Sequence, residues 1–218
     1  MIKNDNSLIL LYRIIYSVIG WIAIVVNYIF EINGVHQSYG LVQGALSTLK
    51  LFTIQTNIMV LIWSTCSIIY TLTGNNKFLI PTNIRGAVAV YISITGIIFF
   101  LFLEPVYGTT GYRHYIHVIT HYIIPFAYII DWLLTEERKT YKWKYIIYWN
   151  IYPIVYYLGY LLYGFFTDKY PYVFIDLNAL GLHRFILNAF LCLLFFIFLS
   201  ALYISINRFS WVSRRKRY

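Results

Sequence analysis

Charged side chains are scarce in this chain: Asp, Glu, Lys and Arg make up 11% of 218 residues, while 60% are hydrophobic. A soluble domain of this length needs a polar skin over one modest core, and this composition does not supply it. Cysteine is nearly absent. Cys66 and Cys192 fall inside apolar stretches, so a disulfide scaffold and a cysteine-based metal clamp are both excluded. No low-complexity tract, internal repeat, dinucleotide glycine fingerprint, phosphate loop, GxSxG elbow or HExxH helix occurs. Gly40 and Gly44 form a lone GxxxG spacing, which points only to close helix contact.

What is present in abundance is apolar length. A hydrocarbon core of about 30 Å takes roughly 20 apolar residues per helix, and six such stretches are found at 8–30, 49–72, 86–105, 116–135, 145–166 and 184–207. The remaining connections are too short for a soluble domain. The expected fold is therefore an all-α integral membrane protein, a six-transmembrane-helix bundle forming one domain over 1–218. The first stretch is too long for a signal-peptide core and ends in Phe30-Glu31-Ile32, so it reads as a retained helix. Arg13, near its start, is expected to snorkel to the headgroups.

A formal charge of +9 would suggest nucleic acid in a soluble protein. Its placement points elsewhere. If the helices alternate, only Lys50, Arg113, Lys169 and Arg184 of the 17 basic residues fall on one side, and the other 13 fall opposite. The positive-inside bias then puts both termini in the cytoplasm of a plasma or inner membrane, with no nucleic-acid partner. The basic run at 214–217 is expected to touch anionic headgroups.

Polar residues inside the spans are costly and so point to function. Thr53, Thr56 and Asn57 share one face of the second span, and His114, His117 and His121 form one stripe on the fourth. Both spans enter from the outer surface, and at about 1.5 Å per residue Thr53 and His121 reach similar depths of roughly 6 and 8 Å. Pro125, one turn after His121, removes the amide that would bond the His121 carbonyl and predicts a kink there. Pro153 does the same for Trp149. Asp131 lies about 15 Å along the axis from His121, too far to be its partner. Glu104 and Asp176 are on the correct side to orient it. The fifth loop, 167–183, carries Tyr170, Tyr172 and Phe174, either as an interfacial aromatic belt or as a lid over the outer polar site.

Three segments then carry a resemblance: Phe52-Thr-Ile-Gln-Thr-Asn57, His121-Tyr-Ile-Ile-Pro-Phe126 leading to Asp131-Trp-Leu-Leu134, and Tyr170-Pro-Tyr-Val-Phe-Ile-Asp176. In series they resemble the androgen-induced protein and androgen-dependent TFPI-regulating protein family, and more closely its bacterial multipass relatives. Pro125 stands one residue nearer to the histidine than in the animal members, while the acidic residue keeps its spacing as Asp131. The resemblance implies an intramembrane hydrolase of fatty-acid esters of hydroxy fatty acids, with Thr53 as nucleophile and His121 as general base.

That chemistry is sound in itself, because a threonine hydroxyl needs a neutral imidazole to take its proton. Asn57, one turn from Thr53, and Asn188 are candidate oxyanion donors, with Glu104, Asp176 and His117 as supporting residues. The expected partners are membrane lipids and an acyl-ester substrate, and no cofactor or metal is called for. Two other readings remain at this level: a lipid or small-molecule binder or transporter whose polar stripe lines a cavity, and a metal or haem site from His117, His121 and His183.

Overall fold

The computed structural model describes residues 2–105 and 110–209. The basic run at 214–217 therefore lies outside the described residues. Those described form helices and no strand. Five helical stretches are long and apolar enough to cross a membrane: Ser7–Asn33, Phe52–Thr73, Asn76–Leu103, Tyr112–Thr135 and Leu177–Phe209. By length and composition they are the helices of a membrane protein. The sixth expected span is a helix too, α7 (Tyr145–Thr167). It is long enough, but its seven tyrosines, Asn150 and Pro153 make it less apolar than the other five.

The chain divides into two compact units, Met1–Glu136 and Glu137–Tyr218. In the first, α1 (Ile2–Tyr39) is followed by α2 (Leu41–Leu49) and α3 (Phe52–Thr73). The connection expected between the first two spans is thus itself helical, a departure that the polar Gln43, Ser47 and Thr48 had masked. Gly40 makes the turn at φ 88°, which glycine adopts without strain. Gly44 lies against the α1 main chain, where a Cβ would come within 3.1 Å of Ile32. Gly44 alone makes the close approach, since a Cβ on Gly40 would meet nothing within 4 Å.

The next helix, α4 (Thr82–Ile98), runs on through a π turn, Phe99–Leu103. The histidine-bearing span is built in three pieces, α5 (Tyr112–Val118), a π turn (Ile119–Ile123) and α6 (Ile124–Thr135). Pro125 accounts for the irregularity. Having no N–H, it cannot bond the His121 carbonyl, and the Ile124 amide reaches back five residues to Ile119 instead of four to Thr120. The expected disturbance at Pro125 is therefore a π turn centred on His121. Ile24, Ile54 and Leu61 form part of the apolar packing between α1 and α3.

At the far end of the same unit lies a buried charge cluster. Arg13 grips Asp131 with two bonds, Nε to Oδ2 at 2.8 Å and Nη2 to Oδ1 at 2.7 Å. Arg85 Nη2 reaches the same Oδ1 at 3.0 Å, and its Nη1 pairs with Glu136 at 3.0 Å. Trp63 lies beneath both guanidinium groups, at 5.0 and 4.2 Å from its ring centre. Two cations and two anions balance here, and Ser67, Thr135 and Tyr16 supply further bonds. This corrects the snorkelling role expected for Arg13, which is buried and paired. It also moves Arg85, expected in a loop, into α4. Their charges are neutralised within the protein, which is why an apolar helix can carry them.

In the second unit, α7 leads through a short 3-10 turn, Val173–Ile175, to α8 (Leu177–Phe209). Gly181, at φ 70°, breaks α8 near its start. Asn207 fastens the preceding loop: its Oδ1 accepts from the Thr140 and Tyr141 amides at 3.0 Å each, and its Nδ2 donates to the Glu137 carbonyl at 2.8 Å.

Candidate active site

Thr53 owes its position to a break in the chain. Leu51 is extended, at φ −72° and ψ 130°, so α3 restarts at Phe52 and Thr53 is its second residue. The side chain is half-buried. Its hydroxyl lies 3.3 Å from His121 Nε2, while the imidazole is buried at 7% exposure. The two residues, set at similar depth by the sequence and paired by the resemblance, are in contact although 68 positions apart.

The other ring nitrogen settles the proton. Nδ1 lies 3.0 Å from the His117 carbonyl and 3.2 Å from Thr120 Oγ1. A carbonyl only accepts, so Nδ1 carries the hydrogen. The Thr120 hydroxyl donates to the Ile116 carbonyl at 2.8 Å, leaving its oxygen as a second acceptor for the same N–H. Nε2 is then bare and faces Thr53, the tautomer a base requires. Phe99 stacks on the imidazole, with centroids 3.7 Å apart and planes 18° from parallel.

The π turn also redistributes main-chain acceptors. With the Ile124 amide bonded to Ile119, the Thr120 carbonyl loses its usual partner and accepts from Asn57 Nδ2 at 3.0 Å. The same amide group donates to the Thr53 carbonyl at 2.9 Å. Both Asn57 protons are thus taken by carbonyls, which corrects its expected role as an oxyanion donor: Asn57 is a strut between α3 and the histidine helix. Thr56, the third member of that face, meets Thr95 of α4 at 2.8 Å.

The remaining expected residues have other partners. Glu104 is exposed and accepts the Tyr122 hydroxyl, so the orienting group at Nδ1 is main chain and Thr120 rather than a carboxylate. The His117 ring lies edge-on to Phe99 and His121, at 5.5 and 5.4 Å. Asn188 and Asp176 belong to the second unit. Asn188 donates to the Phe174 carbonyl at 3.1 Å. Asp176 accepts from the Asn178 and Ala179 amides at 2.9 and 3.0 Å, which makes it the N-cap of α8. In the fifth loop Tyr172 stacks on Phe174, and the Tyr170 ring fills the space beside Gly164. Among the described residues no group of three His, Cys, Asp or Glu side chains is poised for a metal ion.

Sequence reasoning missed Phe99, Gly96 and Thr120. Thr120 was within reach, since it adjoins His121. Gly96, in α4, and Phe99, the residue that follows α4 into the π turn, carry no signal in an apolar run. No protein-family model, curated protein or solved structure matches the chain.

Proposed function

We propose that this chain is a six-span protein of the plasma or inner membrane with both termini cytoplasmic, and that it hydrolyses lipid esters through a Thr53/His121 dyad. The observation that carries the reading is the 3.3 Å approach of Thr53 Oγ1 to the unprotonated His121 Nε2. The resemblance to hydrolases of fatty-acid esters of hydroxy fatty acids supports it and suggests the substrate class.

In the proposed cycle, Thr53 Oγ attacks the ester carbonyl as its proton passes to His121 Nε2. The imidazolium, held through Nδ1 by the His117 carbonyl, gives that proton to the departing alkoxide. Water then cleaves the acyl-threonine by the same steps reversed, releasing the fatty acid and restoring the hydroxyl. A 3.3 Å approach is long for such a bond, and it tightens when substrate is seated. With Asn57 engaged, the oxyanion falls to the first-turn amides of Thr53 and Ile54, which precede Gln55, the first amide bonded back to the N-cap carbonyl of Leu51. A nucleophile two residues into α3 suits a substrate whose ester lies near the interface and whose acyl chain stays in lipid.

The test is ester hydrolysis by purified protein in micelles, using a long-chain acyl ester. Thr53→Ala is expected to abolish turnover, and His121→Ala to lower it by a factor on the order of 10²–10⁴. Undiminished hydrolysis by Thr53→Ala would exclude the dyad.

A further inference from the structure

We infer that the outward end of α4, through Gly96 and Phe99, is the template that holds His121 in its working position, so that Phe99 is a positioning residue for the proposed base. The inference rests on the Thr53/His121 reading for its consequence in turnover, and on geometry for its substance.

Gly96, in the last turn of α4, and Phe99, its C-cap, stand three residues apart and therefore on one face. Each meets a different part of His121. A Cβ on Gly96 would lie 2.9 Å from the His121 carbonyl and 3.6 Å from the Pro125 side chain, so the main chain comes closest where proline has removed the carbonyl's helical partner. Only glycine leaves room for that approach. Phe99, itself 5% exposed, covers the imidazole face at 3.7 Å and 18°. Its ring also meets the edges of His117 and Tyr122, at 5.5 and 5.8 Å.

The two hydrogen bonds, at Nδ1 and Nε2, act in the plane of the imidazole and only weakly oppose its rotation about the Cβ–Cγ bond. The stacked phenyl removes this freedom. Phe99 starts the other π turn, closed by the Glu104 amide on the Phe99 carbonyl at 2.8 Å, which displaces the residues after it from their α-helical register. Each partner of the stack thus lies within or at the start of a π turn, a form found mostly as single turns inside α-helices and frequently at functional sites.

The experiment uses the full chain in micelles, with Phe99→Leu and Phe99→Tyr side by side. Leucine keeps apolar bulk without the flat face, while tyrosine keeps the ring. Phe99→Leu is expected to lower kcat on the order of tenfold to a hundredfold with KM within about twofold, as for a misplaced base, and Phe99→Tyr to stay within about threefold of the parent. Nitrogen NMR of labelled histidine, assigned by loss of a signal in His121→Ala, gives a readout independent of turnover. The parent is expected to show one His121 tautomer protonated at Nδ1, and Phe99→Leu a mixture. If Phe99→Leu does not fold, Gly96→Ala tests the same template through the main chain, with the same tautomer mixing expected. A single unshifted tautomer in whichever folded variant is measured overturns the template. Turnover that ignores Thr53 sinks the hydrolase reading alone, since the tautomer comparison still decides the template.

Discussion

His121 Nδ1 and the His117 carbonyl lie 3.0 Å apart, one turn from each other on the same helix. In hydrolytic triads a carboxylate usually stands at this nitrogen, and it both selects the tautomer and stabilises the imidazolium. Here a main-chain oxygen selects the tautomer, and it brings no formal charge into an apolar helix.

One consequence concerns Glu104, one of the two carboxylates expected to orient His121. Because it is engaged by Tyr122 instead, Glu104→Gln is expected to keep kcat for ester hydrolysis within about twofold. Were Glu104 the orienting acid, the loss would be on the order of 10⁴, as when such a group is neutralised in a triad.

The strut formed by Asn57 predicts a stability effect. Asn57→Leu removes the side-chain donor to the Thr120 carbonyl, and leaving that buried acceptor bare costs about 1–3 kcal/mol, whereas the Thr53 carbonyl keeps the Thr56 hydroxyl at 3.1 Å. A lowered midpoint in denaturant titration, together with reduced kcat, is expected. A variant as stable as the parent would show that the Thr120 carbonyl finds another donor.

A larger cost is expected at the charge cluster. Asp131→Ala leaves Arg13 and Arg85 buried without the carboxylate they share, and breaking a buried ion pair from one side costs about 3–5 kcal/mol. Thermal unfolding in micelles checks this. Replacing Arg113, whose bridge to Glu31 is 3.4 Å and solvent-exposed, is expected to change stability by less than about 1 kcal/mol.

The features legible in the sequence were those written in periodicity. Apolar lengths located the helical stretches, and counting depth from their outer ends put Thr53 and His121 at one level. Asp176 was legible too, as a helix cap, had its place immediately before the apolar run from Leu177 been read that way. Partners held by main chain were not legible, because side-chain identities do not announce the His117 carbonyl or the α4 face that receives His121. Nor was the grip of Arg13 on Asp131, which are 118 residues apart. An arginine near a span's end looks the same whether it snorkels or pairs, and only the fold distinguishes them.

The most direct test of the proposed chemistry is to locate the covalent adduct. Purified protein treated with a long-chain fluorophosphonate is digested and its peptides are weighed. The account predicts one adduct, on Thr53, lost in Thr53→Ala and strongly slowed in His121→Ala. An adduct on another residue, with ester hydrolysis surviving in Thr53→Ala, would contradict it.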